Sequence, residues 1–304
     1  MYDIIIVGAG TAGLSAAIYA TRSGKSALVL EGTAYGGQII NTPEIENYPG
    51  IKHTSGFEFA TGLYEQAKEH GAEIKYEKVI GIESANGEHV VVTAKEKYPC
   101  KAVILATGTV NKKLGLTHED EWIGAGISYC ATCDGAFYKG KDVAVNGGGS
   151  TALEDAIFLS GYCNKVYLVH RRDEFRGEHT LVEELKAKAN VEFVLNSNIV
   201  ALEGDRSLEA IVAEDKNTGE KRNIPVSGLF LAIGRKAGNE PFAGSVQLDD
   251  WGYIEAGEDC KTNIPGIFTA GDCRTKAVRQ LTTAAADGAV AALAACQYIR
   301  GDKK

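Results

Sequence analysis

Cys130-Ala131-Thr132-Cys133, followed directly by Asp134, is the cysteine pair whose spacing suits covalent chemistry. Such a pair can cycle between dithiol and disulfide, and a neighbouring carboxyl can protonate a leaving thiolate. In a surface turn Asp134 would be an ordinary residue. The same Cys spacing could also supply half of a zinc site, which needs two more ligands, usually a second close pair. Cys100, Cys163, Cys260, Cys273 and Cys296 are mutually distant and lie in or beside apolar segments. They read as small buried hydrophobes, and no metal site is expected.

Two glycine-rich turns accompany the pair: Gly8-Ala9-Gly10-Thr11-Ala12-Gly13 at the start of the chain and Gly147-Gly148-Gly149-Ser150-Thr151-Ala152 just beyond the cysteines. Each follows an apolar run and opens a helical pattern, the arrangement that lets backbone approach a pyrophosphate at a helix N-terminus. Gly8, Gly10, Thr11, Ala12 and Gly13 are candidates for the first nucleotide site. Gly147, Gly149, Ser150 and Thr151 are candidates for the second. An acid about 20 residues beyond such a turn accepts from ribose hydroxyls, and Glu31 stands there. It would repel a 2′-phosphate, so the first site suits the adenosine half of FAD. The second site ends in His170-Arg171-Arg172, with Arg176 close by. Those guanidinium groups suit a 2′-phosphate and hence NADPH; otherwise they form a solvated basic loop. Asp272 after Gly271 could accept from a ribityl hydroxyl, and Arg279-Gln280 could offer backbone N–H groups to a flavin edge. Ordinary turn and helix-cap roles fit all of these equally.

The elements that must hold these groups alternate strand and helix. Ile4–Val7 reads as a buried parallel strand, Leu14–Arg22 as a helix and Ala27–Leu30 as the next strand. A polar helix is expected near Gly56–His70 and two hairpin-like stretches over roughly residues 73–99, with a buried strand at Val103–Leu105. The pattern restarts with strand Val143–Val145, helix Leu153–Leu159 and strand Val166–Val169, and short strands follow through 191–235. Ile267–Thr269 and an Ala-rich helix from Gln280 to Tyr298 close the chain. The expected fold is α/β, with two Rossmann-like nucleotide-binding domains, one inserted in the other. The expected segments are 1–111 and 239–304 for FAD, and 112–238 for NADPH and the cysteine pair, with a two-strand hinge at the crossings.

The chain has 304 residues, 44% hydrophobic and 24% charged, with a net charge of −8 and a pI near 5.4. The acidic balance argues against a nucleic-acid partner. The longest small-apolar run, Ala289–Cys296, is too short to span a bilayer, so no membrane association is expected. The chain begins directly in a strand pattern with no secretory signature. With seven scattered cysteines, this suggests a reducing, cytoplasmic setting.

Jointly and in this order, these motifs resemble the low-molecular-weight thioredoxin reductases of bacteria over essentially the whole chain. Gly36-Gly37-Gln38, Glu46-Asn47-Tyr48-Pro49-Gly50, Ala106-Thr107-Gly108 and Phe175-Arg176 add to the match. The resemblance implies a homodimer that uses NADPH to reduce FAD, FAD to reduce the Cys130–Cys133 disulfide, and the dithiol to reduce thioredoxin. It implies that Cys133 lies nearer the flavin and that Cys130 is the interchange thiol. It adds Gly36, Gly37, Gln38, Asn47, Val79, Ala106, Thr107 and Gly108 to the flavin-contacting set. It further implies rotation of the NADPH domain about the hinge. Asn146 and Ser150 depart from the residues usual at the second turn. Competing readings are a flavin dithiol oxidase, a ferredoxin– or flavodoxin–NADP reductase that does not need the cysteines, and a non-enzymatic redox sensor.

Overall fold

The computed structural model describes residues 1–301 apart from Pro43 and Asn86, without the side chains of Asn41, Ala85 and Cys133. The chain divides into two units, Met1–Val110 with Lys236–Lys304, and Asn111–Arg235. The returning chain joins the first unit early because Asn239, fully buried, donates to the carbonyls of Gly252 and Cys273. The crossing segments Thr109–Asn111 and Arg235–Ala237 pair as a two-stranded ribbon.

In the first unit the Tyr2–Val7 strand lies between Ala27–Glu31 and the second half of Lys97–Leu105, parallel to both. Ile4, Ile5 and Ile6 are all fully buried, as expected of a strand covered on both faces. Ile267–Thr269 extends the parallel sheet beside residues 103–105. The first half of Lys97–Leu105 instead pairs antiparallel with Glu88–Thr93, which pairs in turn with Val79–Ala85. The helix Thr11–Arg22 packs against the C-terminal helix Leu281–Arg300. Their backbones meet closely: a Cβ on Gly288 would stand 2.2 Å from the Ala12 carbonyl oxygen.

The second unit repeats this plan. Its parallel sheet runs Val191–Val194, Lys165–Val169, Asp142–Gly147, Gly228–Ala232 and Ile127–Ser128. In the first sheet Tyr2–Val7 is central, with Ala27–Glu31 and Glu73–Tyr76 to one side; in the second Asp142–Gly147 is central, with Lys165–Val169 and Val191–Val194 to one side. Strand order reverses there while the strands stay parallel, which opens a crevice at the strand's C-terminal end. Gly8 and Gly147 occupy those two ends. A separate antiparallel sheet of Ser197–Glu203, Ala210–Asp215 and Lys221–Pro225 completes the unit.

Two expectations are corrected. Glu73–Tyr76 does not belong to a hairpin; it pairs parallel with Ala27–Glu31 at the sheet edge. Its half-exposed residues carry no face pattern from which partner or direction could be read. The helix His179–Lys186 was not anticipated, although Leu181, Val182 and Leu185 share one face and pack on the core of this unit.

Candidate active site

The first glycine turn is built by close backbone approach. Gly8 has φ +107°, and a Cβ there would stand 2.4 Å from the Ala106 carbonyl oxygen. This fixes the turn against the end of the neighbouring strand at Ala106-Thr107-Gly108. A Cβ on Gly13 would meet the Gly8 oxygen at 1.9 Å. Gly36 and Gly37, distant in sequence, close over the same turn: the Gly36 N–H donates to the Ala9 carbonyl at 2.8 Å, and Gly36 bridges Gly10. Gly10 caps its helix with no side-chain bond, and the space at its Cβ position is nearly open. The first-turn N–H groups, those of Thr11 and Ala12 among them, thus face a cradle suited to a phosphate. Glu31 accepts from the Ala9 N–H through one carboxylate oxygen and from Thr33 through the other.

Gly271, at φ +84°, also reaches this turn; a Cβ there would come within 2.8 Å of the Ala12 Cβ. Its N–H donates to Asp287, which also accepts from Arg274 and Lys276, at 2.9 Å in each case but the last, at 2.8 Å. Burial pushes the Asp287 carboxyl up, and these donors outweigh it and hold it below the usual carboxylate value. The cluster braces the Gly271-Asp272 turn from within the core. Asn239 braces it from another side, accepting from the Thr107 hydroxyl at 2.7 Å while donating to the Cys273 carbonyl. Arg279 stacks on Tyr253 and donates to the Asp272 carbonyl. The Gln280 N–H, expected to face a flavin, donates to Thr283 instead, while its side chain accepts from Asn47 at 3.4 Å. Val79 is a buried core residue and Gln38 is exposed.

In the second unit Gly149 caps the helix Ser150–Ser160, again with no side-chain cap and with open space at its Cβ position. Gly147 approaches the Ala232 carbonyl oxygen, where a Cβ would lie at 2.5 Å. The buried His170 ring fills the space over Gly148, 2.1 Å from where a Cβ would be. The Arg176 N–H donates to the Gly148 carbonyl at 2.7 Å and Glu178 N–H to the Ser150 hydroxyl. The basic segment is thereby folded onto the glycine turn, with Thr151, Arg171, Arg172 and Arg176 exposed. This arrangement fits an anionic nucleotide tail.

Cys130 is half-buried and disulfide-bonded. It directly precedes the short helix Ala131–Asp134; the Cys133 side chain lies outside the described residues. The other five cysteines are free and buried. Burial pushes Cys100 and Cys260 up to about 12 and Cys163 up to about 11, so these remain unreactive thiols. Asp134 accepts from the Ser128 hydroxyl at 2.6 Å. Glu119, also buried, gathers the N–H groups of Leu114, Gly115 and Leu116 upstream of the pair. Asn239 and Asp287 escaped the sequence reading because their partners lie more than ten residues away; Ser128 and Glu119 bond to near neighbours, but no residue pattern marks them as buried. Glu119 sits in an acidic run that looks like solvated surface. Among the described residues Glu44, Glu46 and His53 cluster within 4.8 Å, but all three are exposed.

A dithiol segment joined to two dinucleotide-type folds defines a class of redox enzyme that links a pyridine nucleotide to a disulfide. Residues 2–288 match the pyridine nucleotide-disulphide oxidoreductase family model, which implies a flavin and a pyridine nucleotide. A thioredoxin reductase of Peptoclostridium acidaminophilum is 39% identical over 99% of this chain and 98% of its own. A 34.2 kDa protein of a rubredoxin operon in Clostridium pasteurianum is 41% identical over 98% and 97%. The solved thioredoxin reductase of Lactococcus lactis superposes with a TM-score of 0.82 at 36% identity, covering 99% of this chain and all of that one. A ferredoxin-flavin thioredoxin reductase of Clostridium acetobutylicum gives 0.55 at 30%, covering 99% and 98%. The chain belongs to the pyridine nucleotide-disulphide oxidoreductases and, within them, to the low-molecular-weight thioredoxin reductases. No described helix is long and apolar enough to cross a membrane.

Proposed function

We propose that this protein carries electrons from NADPH through FAD to a Cys130–Cys133 disulfide and on to thioredoxin. The observation that carries the NADPH assignment is the Arg171–Arg176 segment tied to the Gly148 carbonyl through the Arg176 N–H. It puts guanidinium groups beside a glycine turn whose helix N-terminus favours phosphate. FAD belongs to the first unit, where Glu31 suits an unphosphorylated ribose and the Gly8–Gly13 turn suits a pyrophosphate. When bound, the flavin supplies a two-electron store between a hydride donor and a disulfide.

The residues of the chain then act in sequence. Reduction breaks the Cys130–Cys133 bond with two electrons, and Asp134 gives its proton to the departing thiolate. The Cys130 thiolate attacks a sulfur of the oxidised thioredoxin, expelling the other as thiolate. Cys133 attacks the mixed disulfide, releases the reduced partner and restores the internal disulfide. A cytoplasmic homodimer is the setting this reading favours. The ferredoxin-type relative keeps a second electron source in view, and the basic segment favours the nucleotide over it.

The test is anaerobic turnover with one electron source at a time. NADPH oxidation matched one-to-one by thioredoxin thiol formation is the expected result. Turnover with reduced ferredoxin and none with NADPH would overturn the proposal, as would full activity after Cys130 and Cys133 are both replaced by Ser.

A further inference from the structure

We propose that Ser128 is a positioning residue for proton delivery: its hydroxyl holds the Asp134 carboxyl in one place through both of that group's protonation states. Ser128 ends the Ile127–Ser128 strand, which pairs with Leu229 and Phe230 and is anchored by the fully buried Ile127. The serine itself is 4% exposed. Its Oγ is 2.6 Å from Asp134 Oδ2, 3.0 Å from the Cys130 amide nitrogen and 3.2 Å from the Cys130 carbonyl oxygen.

A hydroxyl has one proton to give and two lone pairs to accept with. The Cys130 N–H occupies one lone pair in either state. With Asp134 ionised, the serine proton points at Oδ2. With Asp134 protonated, the carboxyl becomes the donor, fills the second lone pair, and the serine proton turns to the Cys130 carbonyl. Every partner stays satisfied while no heavy atom moves. A proton donor used once per turnover needs this constancy, because proton transfer falls off steeply once the donor leaves hydrogen-bond reach. The anchoring strand makes the serine a fixed reference, whereas Asp134 sits at the end of a helix of only four residues.

This inference rests on the reading of Asp134 as the proton donor. In that step an electron pair enters the S–S bond, the bond breaks and one sulfur departs as thiolate. The Asp134 O–H proton moves to that sulfur, leaving carboxylate and thiol. NADPH supplies the electrons and solvent returns the proton to Asp134.

The experiment compares Ser128→Ala, Ser128→Thr, Ser128→Val, Asp134→Asn and the Ser128→Ala/Asp134→Asn double variant, all as flavin-loaded protein. Two rates are measured: single-turnover reduction of the disulfide by excess NADPH, and its reduction by dithiothreitol without NADPH. Ser128→Ala is expected to slow both about tenfold, the scale of one hydrogen bond to a charged group. KM for thioredoxin should stay unchanged. Ser128→Thr, which keeps the hydroxyl, should remain within about threefold of the parent, and the equally shaped Ser128→Val should not. In the Asp134→Asn background Ser128→Ala should add no further loss. Equal rates for Thr and Val, or additive losses in the double variant, would overturn the role of Ser128. Undiminished reduction in Asp134→Asn alone would instead remove the Asp134 reading beneath it.

Discussion

In the proposed function two arginines carry the choice of nucleotide. Arg171 and Arg172 are exposed, follow the buried His170 and belong to a segment whose Arg176 amide is bonded to the glycine turn. A charge-assisted bond to phosphate contributes about 1.5–3 kcal/mol. Arg171→Ala with Arg172→Ala should therefore raise the KM for NADPH at least about tenfold and leave NADH use nearly unchanged. Steady-state kinetics with both nucleotides decides it, and an unaltered preference contradicts the 2′-phosphate assignment. Asp155 shows the opposite case, a charged residue that the fold penalises. Burial, with a smaller contribution from Glu154, pushes its carboxyl up to about 7 from an ordinary value of 3.8. The folded chain holds a proton there that the unfolded chain releases. The associated stability is complete below about pH 4 and is lost as pH rises through about 7. Asp155→Asn should raise the thermal midpoint more at pH 8 than at pH 5; equal increments at the two pH values would rule this out.

At the scale of elements, both nucleotide folds depend on backbone standing where a side chain would be. Gly148 leaves room for the His170 ring, and His170 in turn stacks on Phe175 with centroids 5.2 Å apart. Burial, opposed by a bond to the Glu174 carbonyl, keeps the His170 pKa below its ordinary value. Gly148→Ala cannot be absorbed by a flexible chain end, since the whole imidazole must leave. The displaced ring pulls on the His170–Arg176 segment that is bonded back to the Gly148 carbonyl. NADPH affinity should fall about tenfold or more, on the scale of one lost charge-assisted bond. The flavin spectrum should be untouched. Isothermal titration with NADPH measures the first, and an absorbance scan the second. Loss of the flavin from this variant would show that the two sites are not served by separate elements.

For the whole molecule, the division into two units predicts how it comes apart. Each unit has its own sheet and its own buried clusters, the first around Ile4, Ile6 and Leu14, the second around Val143, Val145 and Leu168. A ligand that binds one native unit stabilises that unit by mass action. Stripping the flavin should therefore lower one calorimetric transition, that of Met1–Val110 with Lys236–Lys304, and leave the transition of Asn111–Arg235 in place. A single transition that shifts as a whole would show that the units unfold as one.

The sequence by itself determined the alternation of strand and helix, the two glycine turns, the acid and the arginines at their far ends, and the cysteine pair with its carboxyl. All of these are local patterns, since each is set by a few neighbouring residues and by the period of one element. The parallel pairing of Glu73–Tyr76 was not legible, because a half-exposed strand of four residues carries no face pattern; the helix His179–Lys186 does carry one, in Leu181, Val182 and Leu185. The tertiary structure alone decided which distant residues meet: Gly36 over Gly10, Gly271 against Ala12, Asn239 between Thr107 and Cys273. Such contacts depend on strand order and on backbone approaches of a few ångströms, and no spacing along the chain encodes them.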